Sequence, residues 1–235
     1  MPTIKVMSAG AVKSMVAALG AEFERESGTT IDYNFGTAGA LRDRVKGGET
    51  ADLVIVSESA IAELAKLGHV VAATATDLGR TVTGVIVREG ARKPDISTVE
   101  AFTQALRNAR SIAYTDPKAG GSGGIMFVAL LEKLGMLNEV NAKAVLGKGG
   151  FDVSQIVADG RAELGTTFLS EALPVKGLTI VGTLPGALHN ANTYTAAVHT
   201  KAVNRPGAEA FLRKLVAPAT RGRWSEAGLE PAFPA

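Results

Sequence analysis

The chain has 235 residues, 46% hydrophobic and 20% charged, enough for one large domain or two small lobes around a sizeable core. A formal net charge of +2 with no Lys/Arg run argues against nucleic acid and a membrane surface. Aromatics at 5%, with one Trp, argue against stacking platforms for bases or sugars.

With no cysteine there is no disulfide, thiolate nucleophile or cysteine metal site. The three histidines, His69, His189 and His199, are too scattered in sequence for a metal cluster, so neither a metal nor a cofactor is expected. No apolar run is long enough to span a membrane. The start, Met1-Pro2-Thr3-Ile4-Lys5-Val6, runs directly into a strand pattern. The expected location is cytoplasmic if Met1 is the native start and periplasmic if a signal peptide was removed.

Thr3 to Met7 reads as a first strand and Ser8-Ala9-Gly10-Ala11 as the turn at its end. Val12, Met15, Val16, Leu19 and Phe23 then fall at helical spacing, up to Ser27-Gly28. A second strand, Thr30 to Phe35, leads into a helix opened by Gly36-Thr37-Ala38-Gly39-Ala40. A buried third strand, Ala51 to Val56, leads into a helix over Ser59 to Leu67. Alternation of this kind predicts a parallel sheet with crossover helices.

The pattern breaks near residue 80. Arg80 to Val87 reads as a strand, followed by a helix capped by Thr98 that carries Val99, Phe102 and Leu106. Phe151 to Asp159 reads as a helix begun by Asp152, after a loop holding Gly147, Gly149 and Gly150. Leu164 to Phe168, Gly177 to Gly182 and Thr193 to Val198 read as strands, and helices over Pro206 to Leu215 and Ala219 to Ala227 close the chain.

The most informative stretch is Asp116-Pro117-Lys118-Ala119-Gly120-Gly121-Ser122-Gly123-Gly124, between the short strand Ser111 to Tyr114 and an apolar helix ending at Gly135. Ser122 is the predicted N-cap. Glycines let a ligand approach the backbone, and the first N–H groups of a helix are unpaired donors at its positive end, so this is an anion site in outline. It matches neither the P-loop nor the dinucleotide fingerprint. Similar glycine turns follow the first two strands, and open α/β sheets bind ligands off the carboxyl ends of their strands.

The order of these motifs resembles the type II periplasmic solute-binding proteins, most of all the molybdate-binding branch. The resemblance rests on Ser8-Ala9-Gly10-Ala11-Val12, Phe35 to Leu41, Gly48-Glu49-Thr50-Ala51-Asp52-Leu53, Asp116-Pro117, Arg161 to Phe168 and the Tyr194 strand. It implies an α/β fold of two lobes, each a mainly parallel sheet flanked by helices. Residues 1–80 plus 197–235 would form one lobe and 81–196 the other, with a ligand cleft between them that closes by a hinge. It also implies a small anionic ligand, no nucleic acid, an ABC permease partner if exported, and a monomer or weak oligomer.

Oxyanion binders of that family place serine hydroxyls at the first two helix starts and a tyrosine from the second lobe. Those positions fall here near Ala11, Ala38 or Gly39, and Phe168. Ser8, Thr37 and Ser122 are the hydroxyls that remain nearby, and Lys13, Arg42, Arg80 and Lys118 are basic side chains beside the loops. Arg recognises carboxylates through paired hydrogen bonds, so a small organic acid is expected rather than molybdate.

Two functions follow. In the first, a binding protein holds the acid with Ser8, Ala9, Gly10, Ala11, Thr37, Ala38, Gly39, Gly121, Ser122 and Phe168, and with Arg42 or Lys118 as countercharge. In the second, an enzyme on the same scaffold isomerises or tautomerises a small unsaturated acid, with Tyr114 and His189 as the proton-transfer candidates. No triad, paired-carboxylate spacing or metal set supports the second, so the sequence places binding first.

Overall fold

The computed structural model describes residues 2–234. β1 (Thr3–Ala9), α1 (Lys13–Ser27), β2 (Thr30–Gly36), α2 (Ala38–Lys46), β3 (Leu53–Ser57) and α3 (Glu58–Lys66) alternate, followed by the long strand β4 (Thr76–Arg88). The middle of the chain holds α4 (Val99–Asn108), β5 (Ile112–Thr115), α5 (Ser122–Lys133), α6 (Leu137–Asn141) and β6 (Ala144–Gly147). It continues with α7 (Gly150–Ala158), β7 (Leu164–Phe168), α8 (Leu169–Ala172) and β8 (Leu178–Thr183). β9 (Ala191–Val198), α9 (Arg205–Leu215), α10 (Arg221–Glu226) and β10 (Glu230–Pro231) end it.

Contacts divide the chain into two compact units, Met1–Arg80 with Asn192–Ala235, and Thr81–Ala191. In the first unit the sheet runs β2-β1-β3-β9. β1 lies parallel to β2 and β3, and β9 antiparallel to β3. β10 pairs with the start of β4, Glu230 opposite Arg80. Ile4, Leu19, Leu41, Leu53, Ile55, Phe211 and Trp224 are fully buried here. α1 ends where Gly28 takes a φ of 68°, a left-handed cap that glycine adopts without a Cβ penalty.

In the second unit the order is β4-β7-β5-β6, with β8 on the other side of β4. β5 is parallel to β6 and β7, while β4 is antiparallel to β7. Thr98 caps α4 by accepting the Ala101 N–H at 3.1 Å, as its position before an apolar helical run predicts. One core joins Val85, Phe102, Leu106, Phe127, Leu131 and Leu164; a second, on the opposite face, joins Ile86, Ala113, Val153, Ile156 and Val157.

Three local expectations need correction. Ser122 is the first helical residue rather than the cap: Gly121, with extended backbone, is the N-cap, and no side chain bonds there. α7 begins at Gly150, and Asp152 lies in its first turn with its carboxylate turned back to the Lys148 N–H at 2.8 Å. The stretch before it contains the edge strand β6, whose four residues are too short and too exposed to show a period.

Candidate functional site

In both units the polar features gather where parallel strands end and helices begin. In the first unit Ser8 lies opposite Phe35 on one side and Ile55 on the other, so the turns after β1, β2 and β3 are neighbours. The turn after β1 passes through a short 3-10 segment, Gly10–Val12, before α1. Ala11 and Ala38 are buried methyl groups, and Gly39 is half-buried, so these helix starts offer backbone N–H groups rather than side-chain donors. Thr37 is the N-cap of α2 and accepts the Ala40 N–H at 3.3 Å. Ser8 is fully buried, its hydroxyl 3.4 Å from the Ala9 carbonyl oxygen.

The third turn of this unit was not read from the sequence. Ser57 is the N-cap of α3 but makes no capping bond; its Oγ lies 3.3 Å from Ser59 Oγ, and its backbone is opposite Tyr194 on β9. The signal was present as Val56-Ser57-Glu58-Ser59, a polar break straight after a buried strand and before an apolar helical pattern.

The basic side chains separate into two kinds. Arg42 is drawn to Asp43 at 2.8 Å and Glu63 at 3.5 Å, and Arg80 pairs with Glu230 at 2.9 Å. That geometry spends both guanidinium groups on neighbouring carboxylates and does not favour Arg42 as countercharge to a ligand. Lys13 stands over the Phe35 ring, 5.2 Å from its centroid, and Lys118 is exposed in the turn after β5.

In the second unit, Asp116 accepts the Lys118 N–H at 2.9 Å and starts the 3-10 turn Pro117–Ala119, which Gly120 closes with a φ of 72°. α5 then packs directly on β5. A Cβ on Gly124 would stand 2.1 Å from the Thr115 carbonyl oxygen, so only glycine permits that approach. The Phe168 ring covers Gly123, with Cε2 at 3.3 Å from the same construction. Gly121, Ser122 and Phe168 are thus brought together, and the Asp116 N–H donates to Gly147 O at 2.8 Å, joining this turn to the one before α7.

At the α7 turn the backbone N–H groups of Gly150 and Phe151 donate to the Glu171 carboxylate. Burial pushes that carboxyl up to about 7 against the two N–H bonds, which favour its charged form. Thr167 Oγ1 faces the same glycine and has no hydrogen-bond partner among the described residues; the buried hydroxyls of Thr83, Thr166 and Ser170 are likewise unpaired.

The two proton-transfer candidates lie in unlike surroundings. Tyr114 is 2% exposed, edge-on to Phe127 at 5.2 Å between centroids, and its hydroxyl bonds the Asn141 carboxamide. Burial, and then Asp116, raise its pKa. It is a core residue. His189 is exposed and closes the Gly186–Leu188 turn, and no hydrogen bond joins it to Tyr114 among the described residues. No group of three or more acidic, His or Cys side chains is arranged for a metal among the described residues. No helix there is long and apolar enough to cross a membrane.

Comparison with known proteins agrees with this architecture. The profile of the bacterial extracellular solute-binding protein family matches residues 4–230. An aconitate isomerase of Pseudomonas sp is 31% identical over 234 residues, 97% of this chain and 88% of that one. The molybdate-binding protein ModA of Escherichia coli K12 is 24% identical over 83% of this chain and 76% of its own. Among solved structures, the periplasmic molybdate-binding protein of Azotobacter vinelandii superposes with a TM-score of 0.78 at 18% identity, covering 99% of this chain and all of that one. The fold is therefore the type II periplasmic-binding-protein fold expected from the motif order.

Proposed function

Because the chain belongs to the bacterial extracellular solute-binding protein family, we propose that it takes a small organic carboxylate at its strand-to-helix turns and, when that acid is unsaturated, isomerises it. The observation that carries the carboxylate reading is the make-up of the turns. In the first unit Ala11, Ala38 and Gly39 offer no side-chain donor at the helix starts, and Lys13 follows the first of these turns; in the second, Phe168 stands by the uncapped start of α5, and Lys118 lies in the turn before it. Carboxylates accept backbone N–H bonds and are favoured at the positive end of a helix. A tetrahedral oxyanion held by neutral hydroxyls is poorly served by the same set.

The isomerase half rests on the 31% relative, whose similarity runs through 97% of this chain and makes aconitate the first acid to try. Moving a double bond along an acid shifts one proton between two carbons, and a group with a pKa near the working pH serves both removal and return. A second reading, a transport receptor that binds the acid unchanged and delivers it to an ABC permease, is favoured by the family description and by the molybdate-binding relatives.

A thermal-shift panel of aconitate isomers, saturated tricarboxylates, sulfate and molybdate tests the ligand class. Saturating ligand at a hundredfold excess over Kd adds about 2.7 kcal/mol of stability. Shifts with the carboxylates alone are expected. A shift with molybdate alone contradicts the proposal, and tight binding without conversion moves the conclusion to the receptor.

A further inference from the structure

We propose that Glu171 is the residue that carries the proton in this isomerisation, a role that rests on the isomerase reading above and that neither Tyr114 nor His189 fills. Four observations converge on its carboxylate. It accepts the N–H groups of Gly150 and Phe151 at the start of the nine-residue helix α7. A Cβ on Gly150 would stand 2.1 Å from Glu171 Oε2 and 2.4 Å from Thr167 Oγ1, so carboxylate, hydroxyl and helix start crowd one point. Thr167 is 3% exposed, and its Oγ1 is unpaired among the described residues. A buried hydroxyl without a partner is costly, and one beside a carboxylate at a helix start is placed to meet a polar atom of a ligand. Finally, Glu171 stands three residues after Phe168, whose ring covers Gly123 in the first turn of α5.

The residue as a whole is half-buried, its carboxyl is the part that protein encloses, and the acid would have to meet it at the start of α7. The elements packed on it leave it electrostatically alone. α7 carries one other titratable side chain, Asp152, which is turned to the Lys148 N–H; β7 carries none, and α8 has only Glu171 itself. Burial raises the pKa and the helix N–H groups lower it, so the carboxyl exchanges its proton near neutral pH, where a bidirectional acid–base is most effective.

The step balances without a co-reactant. The Glu171 carboxylate removes a proton from the saturated carbon beside the double bond. That C–H electron pair becomes the new C=C bond. The former π pair takes up the proton at its far carbon, delivered by the now neutral Glu171 carboxyl. One proton and one double bond change place, nothing is oxidised or reduced, and the enzyme ends as it began. Negative charge that develops on the acid is met by helix N–H groups of the kind that stabilise such charge in transition states.

The test compares wild type with Glu171→Gln and Glu171→Asp using cis- and trans-aconitate as probes. Gln keeps an oxygen to accept the α7 N–H groups but cannot carry the proton. Glu171→Gln is expected to retain the wild-type thermal shift with the acid and to lose conversion by about 100-fold or more. Glu171→Asp is expected to recover part of the rate. Conversion by Glu171→Gln at the wild-type rate and with the wild-type pH profile overturns the inference while leaving the isomerase reading intact. If the Gln variant does not fold, the wild-type pH–rate profile decides: a limb centred near pH 7 supports Glu171, and a flat profile between pH 5 and 9 overturns it. Failure of wild type to convert either isomer is the distinct outcome that removes the isomerase reading, and this role with it.

Discussion

The ring of Phe168 lies against Gly123, its Cε2 3.3 Å from where a Cβ on that glycine would stand. The contact gives the end of β7 an apolar lid over the start of α5, at a position where the resemblance leads one to look for a tyrosine hydroxyl. Phe168→Tyr is expected to fold, since the change adds one oxygen at the ring edge. It should leave carboxylate affinity within a few fold, while the melting temperature falls because the added hydroxyl enters a buried position. Calorimetric titration of the variant checks this, and a large gain in carboxylate affinity contradicts the view that the missing hydroxyl is irrelevant to this ligand class.

Gly124 is the stricter position. A side chain there meets the Thr115 carbonyl oxygen at 2.1 Å, a backbone atom that cannot swing away. Gly124→Ala is expected to push α5 off β5 and cost about 1–3 kcal/mol, the usual penalty of overpacking. For a domain of this size that is about 2–4 °C of Tm per kcal/mol, readable by calorimetry.

The cations should not contribute alike. Arg42 is held by Asp43 and Glu63, so Arg42→Gln is expected to change acid affinity by less than twofold. Lys118→Gln and Lys13→Gln are expected to weaken it several fold and to flatten its dependence on salt, as surface charge attraction does. Equal losses for all three variants contradict the assignment.

Each unit carries a serine at a strand-to-helix turn, and its contribution to binding the acid is tested separately. Ser57→Ala and Ser122→Ala are each expected to reduce its affinity, by about 0.5–1.5 kcal/mol for a single hydrogen bond, or roughly 2- to 12-fold. Calorimetric titration of each variant checks this, and wild-type affinity in a variant contradicts a role for its hydroxyl.

Glu171 also predicts a pH dependence of stability. Its folded pKa, about 7, stands above the ordinary 4.5, so the fold favours the neutral form. The stability this contributes is fully present below about pH 4.5 and is lost as the pH rises through 7. Glu171→Gln, neutral throughout, is therefore expected to match wild type at pH 4.5 and to exceed it at pH 8. The shift corresponds to an excess on the order of 3 kcal/mol. Denaturant melts at the two pH values check the sign, and a variant less stable than wild type at pH 8 contradicts it.

Much of the fold was legible in the sequence. The βα alternation through Val56, the left-handed glycine after Ser27 and the Thr98 cap are local signals, and each appears where the pattern places it. β6 and the Gly121 cap were not legible, because a four-residue edge strand has no period and a glycine cap has no side chain to read. Tyr114 was misleading for a physical reason. It alternates with Ile112 on the core face of β5, and that period-2 placement outweighs the chemistry its hydroxyl advertises. Glu171 was invisible for the opposite reason. Its hydrogen-bond partners come from the start of α7, and only the folded chain brings Gly150 and the unpaired Thr167 hydroxyl close to one carboxylate.

The most direct measurement of the central claim is proton NMR of cis- and trans-aconitate incubated separately with the purified protein in deuterated buffer. The account predicts that each isomer is converted toward one common mixture. Both acids remaining unchanged, while molybdate alone raises the melting temperature, would contradict it.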